Sequence, residues 1–211
     1  MTLKAEEVAY WFFRLNGFLA TSNFVVHPNT PGRQLTDIDV LGVRFPERAE
    51  FTEEGLEDSD IFRAIGNVPF IAIVEVKTGE CQINSTLRNR DNGNVQRVLR
   101  SLGALPRQRV EIAAQEIYSE GAYMADGYHV SLCAIGEYTS QDLTDNFPQA
   151  LQITWDTALD FIYRRFGEYR NRKWDHEQWD TAGKVLWKAA AHSHTVESFK
   201  DLVRKLWVIA P

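Results

Sequence analysis

Three residues carry most of the chemical promise of this 211-residue chain: Asp39, Glu75 and Lys77. Glu75 and Lys77 stand at i and i+2 at the end of an apolar run that begins at Phe70 and holds Ile71, Ile73, Val74 and Val76. On a strand, that spacing sends both side chains to one side, about 6.6 Å apart along the backbone. Two charges in so apolar a segment need partners, because an unpaired buried charge is costly. Asp39, in Thr36-Asp37-Ile38-Asp39-Val40-Leu41-Gly42, offers a carboxylate presented in the same way. If the two strands are neighbours, Asp39 and Glu75 meet at one point with Lys77 beside them. Two carboxylates are hard oxygen ligands for Mg²⁺ or Mn²⁺ and leave coordination positions for phosphate oxygens and water. Such an ion polarises a phosphate and acidifies a bound water, while a lysine offsets charge on the pentavalent transition state. The chemistry implied is metal-assisted phosphodiester hydrolysis.

Those residues have to be placed by the elements around them. Residues 3–16 read as a helix, with Val8, Trp11, Phe12 and Leu15 on one face and Gly17 as its stop. Residues 18–27 are β-rich, and Pro28, Pro31 and Gly32 mark a loop. Residues 35–45 form a strand in which Leu35, Asp37, Asp39, Leu41, Val43 and Phe45 share one parity. The run 70–77 suits a central strand covered on both faces. Helices are expected at 94–102 and 107–119, strands at 128–135 and 151–155. An amphipathic helix follows, capped by Thr154 or Asp156, and two more lie at 179–191 and 196–207. The expected class is α/β, with a mixed central sheet flanked by helices. Residues 1–150 form its core, with 46–69 as an acidic insertion; 151–211 supply a last short strand and a helical C-terminal extension.

An aspartate on one strand followed by a strand ending in Glu-x-Lys resembles the PD-(D/E)xK, or restriction-endonuclease-like, nuclease superfamily. Asp37-Ile38-Asp39-Val40-Leu41-Gly42 with Ile73-Val74-Glu75-Val76-Lys77-Thr78-Gly79 is most similar to its Holliday-junction-resolvase-like branch. The resemblance covers roughly residues 5–101. It implies a restriction-endonuclease-like fold and a metal-dependent DNA endonuclease acting in repair, restriction or anti-phage defence. The metal would be Mg²⁺ or Mn²⁺, held by Asp39, Glu75 and the carbonyl of Val76. Asp37 would not be a ligand. A glutamate in the first helix, eleven residues before its terminal glycine, fits Glu6 before Gly17, with Glu7 as a rival. A glutamine in the helix after the lysine fits Gln96. The resemblance leaves open a catalytically silent module of the same fold, which would bind DNA or assemble a complex, and an RNA-directed nuclease.

The net charge of -6 does not by itself suit a nucleic-acid partner. Its distribution does: residues 46–69 carry seven acidic residues (Glu47, Glu50, Glu53, Glu54, Glu57, Asp58, Asp60) against Arg48 and Arg63, a net of -5. The rest is near neutral, and Arg88, Arg90, Arg97 and Arg100, followed by Arg107 and Arg109, form a stripe opposed only by Asp91. Arg88, Arg90, Arg97 and Arg100 are therefore the candidate DNA-backbone contacts. Arg164, Arg165, Arg170, Arg172 and Lys173 form a second basic patch, fit for phosphate or for a partner subunit. A homodimer or larger complex through the C-terminal helices is a further expectation, and a scaffold binding protein through the acidic segment is a rival reading.

No run reaches the roughly 20 apolar residues of a membrane span, and the start lacks the basic flank of a signal peptide. Cys81 and Cys133 have no metal or redox spacing, so a cytoplasmic protein with reduced thiols is expected. His192-Ser193-His194 and Asp175-His176-Glu177 read as a turn and a helix start rather than a metal clip or an acid-base pair. The tryptophans and phenylalanines after residue 151 read as core, and Gly79 and Gly93 match no nucleotide-binding loop.

Overall fold

The computed structural model describes residues 2–27, 35–48, 56–125, 127–170 and 179–207. The loop at Pro28, Pro31 and Gly32, the acidic Glu50, Glu53 and Glu54, and Arg172, Lys173, Trp174, Asp175, His176 and Glu177 lie outside the described residues. The elements run α1 (Ala5–Leu15), β1 (Leu19–Val26), β2 (Thr36–Arg44), α2 (Asp60–Arg63), β3 (Phe70–Val76), α3 (Ser85–Arg88), α4 (Asn94–Leu102), α5 (Arg107–Glu120), β4 (Ala122–Ala125) and β5 (Tyr128–Gly136). They continue with α6 (Gln141–Asn146), β6 (Leu151–Thr154), α7 (Trp155–Arg170), α8 (Thr181–His192) and α9 (Val196–Leu206).

The class is α/β, with an open mixed sheet in the order β1-β2-β3-β5-β4. β1, β2 and β3 are antiparallel neighbours, and β5 lies parallel to β3. The far side of β5 takes antiparallel β4 along its first half and parallel β6 along its second. Every residue of β3 is buried. Phe70, Ala72, Val74 and Val76 enter a core shared with α1, α2, α7, α8 and α9, whereas Ile71 and Ile73 enter a second core beneath α3, α4 and α5. Helices on both faces explain why the run lacks polar alternation. Among the described residues no helix is long and apolar enough to cross a membrane.

Local signals account for the joints. Lys4 N–H donates to Glu7 Oε2 at 2.8 Å, closing the first turn of α1. Gly17 ends that helix at φ +80°, where a side chain would also strike Arg48. Thr154 Oγ1 accepts from Thr157 N–H at 3.3 Å at the start of α7. Two short elements carry little sequence signal: β4, with only two buried residues, and the six-residue α6.

Two readings of the chain need correction. Part of the acidic stretch belongs to the core: Phe62 of α2 is 1% exposed and packs against the rings of Phe12, Phe13, Phe18 and Phe70. Arg165 is not part of a surface patch. Its fully buried side chain donates to Glu57 O at 2.7 Å, lies 3.4 Å from Asp58 Oδ1 and stacks on Phe161, because a buried guanidinium requires acceptors and a carboxylate.

Candidate active site

The site forms where β2 and β3 part. Their pairing runs from Arg44↔Phe70 to Val40↔Val74 and stops there, one step short of Asp39 and Glu75. The β1–β2 register also skips one step, between Ser22↔Val40 and Phe24↔Ile38, and the residue of β1 at that step, Asn23, has φ 53°. Val40 lies in the first core and Leu41 in the second, as strand alternation requires, but Ile38 joins the second core as well. The alternation thus slips at Asp39, and the uniform parity expected from 35 to 45 does not hold. A local distortion of this kind re-aims a side chain at the end of a ladder.

Re-aimed, Asp39 Oδ2 accepts a 2.7 Å hydrogen bond from the N–H of Val76. Val76 pairs with Ile135, and Lys77 N–H donates to Ile135 O at 2.8 Å. In a parallel ladder that arrangement uses the groups flanking Val76, so its own N–H and C=O face β2. Asp39 and the Val76 carbonyl therefore share one side of β3. Glu75 is 2% exposed; its Oε2 lies 3.5 Å from Lys77 Nζ, and its Oε1 is buried with no hydrogen-bond partner.

The electrostatics follow from the crowding. Burial pushes the Glu75 carboxyl up to about 7, the charge of Asp39 adds to that rise, and Lys77 opposes it. Burial also raises Asp39, while the Val76 N–H and Lys77 restrain it and Glu6 and Asp37 push it further up. Glu6 is thus the helix carboxylate whose charge reaches Asp39, while Glu7 is engaged in closing the turn at Lys4. Asp37, set aside from the sequence as a non-ligand, raises both Asp39 and Glu75. Its position two residues before Asp39 was the available signal.

Apart from Arg90, the other candidates are engaged in contacts of their own. Gln96 accepts from Tyr118 Oη at 3.2 Å and donates to Glu111 at 3.4 Å, both on α5, and makes no hydrogen bond to Lys77. Arg88 pairs with Asp142 at 2.7 Å and stacks on Phe147, and Arg100 pairs with Glu111 at 2.5 Å. Arg97 bonds to Asn92 O and Asn94 Oδ1. Arg90, in a single 3-10 turn between α3 and α4, is exposed and makes no ion pair among the described residues. The turn is tied to the start of β2: Asn92 donates to Thr86 O at 3.2 Å, and Thr86 of α3 donates to Thr36 Oγ1 at 2.9 Å. Sequence reading missed Trp155, whose indole N–H reaches Lys77 O at 2.8 Å. A tryptophan opening a helix carries no local mark of such a contact.

Chemically, the fit to a divalent cation rests on Glu75 Oε1, a buried carboxylate oxygen without a donor, beside a second carboxylate already oriented by a peptide N–H. Among the described residues, no three His, Cys, Asp or Glu side chains form a ready metal cluster. A pair of carboxylates with a carbonyl and waters meets the needs of Mg²⁺ without a third. Comparison of the chain with protein-family models, with curated proteins and with solved structures finds no match.

Proposed function

We propose that this protein is a Mg²⁺- or Mn²⁺-dependent nuclease of the PD-(D/E)xK, restriction-endonuclease-like type, hydrolysing phosphodiester bonds in DNA. The observation that carries the reading is the meeting of Asp39, the Val76 peptide, Glu75 and Lys77 at the open end of β2 and β3. The mixed sheet with helices on both faces is compatible with that fold.

Asp39, Glu75 and the Val76 carbonyl would hold the ion. Bound there, a divalent cation supplies Lewis acidity toward a phosphate oxygen and lowers the pKa of a water. The Val76 N–H fixes one oxygen of Asp39 and leaves the other free to bind. Lys77, 36% exposed, can reach substrate, so its ammonium would orient the attacking water and offset the negative charge that builds on the phosphoryl oxygens. Glu6 adds a carboxylate for a bridging water or a further cation.

The test is incubation of the purified protein with duplex, single-stranded and junction DNA and with RNA, in Mg²⁺, Mn²⁺ or EDTA. DNA cleavage that requires the ion and falls by about a thousandfold in Lys77→Ala, to a rate that can still be measured, supports the reading. Cleavage confined to RNA replaces the substrate, and DNA binding without cleavage in any metal replaces the enzyme with a silent module.

A further inference from the structure

The backbone of Lys77 has two anchors of different origin. Its N–H belongs to the sheet, donating to Ile135 O, while its C=O accepts from the indole of Trp155 at 2.8 Å. Trp155 has no exposed surface and opens α7 directly after β6, whose pairing of Ile153 with Ile135 fixes the height of the indole beside β5. Past Lys77 the chain is held again: Glu137 N–H donates to Gly79 O at 2.6 Å and Cys81 N–H to Tyr138 O at 2.9 Å. Gly136 permits this approach, since a Cβ there would fall 2.5 Å from Gly79 O. The ring of Trp155 meets that of Trp207 with centroids 4.8 Å apart. Trp207 pairs with Leu3 in an isolated bridge, and Leu3 N–H donates to Leu206 O at 2.8 Å, just ahead of the helix carrying Glu6.

We infer that Trp155 is a positioning residue for Lys77, and that the tilted Trp155–Trp207 contact is the contribution of the C-terminal helices to the active site. A buried carbonyl at the end of a strand needs a donor, and the indole N–H is a donor on a rigid, packed body. Without it the peptide at Lys77 can rotate, and the ammonium at the end of a flexible stem loses its place beside Glu75. The kinetic consequence rests on the nuclease reading; the geometric one does not.

The experiment compares wild type, Trp155→Phe, Lys77→Ala and the double variant; Trp155→Phe removes the donor together with the five-membered ring, and the Lys77→Ala background separates the lost donor from the lost packing. Trp155→Phe is expected to lower kcat about ten- to a hundredfold with KM within about twofold, the range for groups that orient a reacting residue. It is expected to add nothing to the loss already caused by Lys77→Ala. An unchanged kcat, or the same fold loss in both backgrounds, would overturn the inference, since a packing role is indifferent to Lys77. Should the wild type cleave no nucleic acid, the nuclease reading fails by itself, and the positioning claim is decided by NMR. Lysines are reductively methylated with ¹³C-formaldehyde, and Lys77 is assigned by its absence in Lys77→Arg. A Lys77 signal that moves to the position of free lysine in Trp155→Phe supports the inference; one that stays in place overturns it.

Discussion

The N–H of Val76 lies 2.7 Å from Asp39 Oδ2, so the central strand itself orients the carboxylate of its neighbour. Asparagine at position 39 can keep that hydrogen bond through its carbonyl oxygen but brings no charge. Both Asp39→Asn and Asp39→Ala are therefore expected to lose at least about a thousandfold of metal-dependent cleavage, the scale of a principal transition-state contact. Both should keep the wild-type circular dichroism spectrum. Retention of full activity by Asp39→Asn would remove the metal-ligand role of this residue.

Glu75 should make the protein less stable as pH rises. Its carboxyl ionises near 4.5 in the unfolded chain and at about 7 in the folded one. Between those values the folded state holds a proton that the unfolded state has lost, so stability declines across that window and levels off above it. The full difference is about 3 kcal/mol at the conversion of 1.36 kcal/mol per pH unit. Glu75→Gln is thus expected to raise Tm at pH 8 and to change it little at pH 5. Mg²⁺ should narrow the gap at pH 8 by stabilising only the wild type. Equal melting temperatures of the two proteins at pH 8, without metal, would contradict the burial that underlies the site.

The positions of Asp39 within β2 and of Glu75 and Lys77 at the end of β3 were legible because β2 and β3 announce themselves by apolar patterning, and charges stand out against it. α1, α4, α5 and the three C-terminal helices were legible for the same reason, through helical periodicity. The slip at Asp39 was not, since it depends on Asn23 adopting a positive φ on the neighbouring strand. Nor was the pairing of Arg88 with Asp142, which joins α3 to a helix 54 positions along the chain. Sequence separation also hid the core role of Asp58 and Phe62, which look like part of a solvated acidic run until the arginines and phenylalanines that surround them are known.

Arg90 and Arg100 should behave differently toward DNA despite similar exposure and charge. Arg100 is paired with Glu111, and its replacement removes an ion pair that is already neutralised. Arg90 has no ion pair among the described residues and stands exposed on the 3-10 turn between α3 and α4. A free guanidinium that neutralises a phosphate releases a counterion on binding. Arg90→Ala is expected to weaken DNA affinity and to reduce the slope of log K against log salt by about 0.9, whereas Arg100→Ala leaves the slope within error. Fluorescence anisotropy over a salt series, in Ca²⁺ or EDTA to prevent cleavage, makes the measurement. Identical slopes for all three proteins would take Arg90 out of the interface.

Asp58 is expected to be among the costliest single residues to lose outside the site. Its carboxylate, 7% exposed, meets Arg44 at 2.5 Å, Arg48 at 2.9 Å and the fully buried Arg165 at 3.4 Å. The neighbouring Ser59 N–H donates to the side chain of the buried Asn16 at 2.7 Å, which ties the same segment to the end of α1. Asp58→Ala removes the buried carboxylate at Arg165 and leaves Glu168 Oε2, 3.5 Å from its Nε and 43% exposed, so the expected cost is about 3 kcal/mol, the lower end for breaking a buried pair. Arg165→Met in the same chain removes the charge that has lost this buried carboxylate and keeps most of the volume. The double variant should therefore be more stable than Asp58→Ala alone, by urea denaturation at neutral pH. If the second substitution adds to the damage, packing of the Arg165 stem on Phe161 outweighs its charge, and Asp58 holds the segment through Arg44 and Arg48 instead.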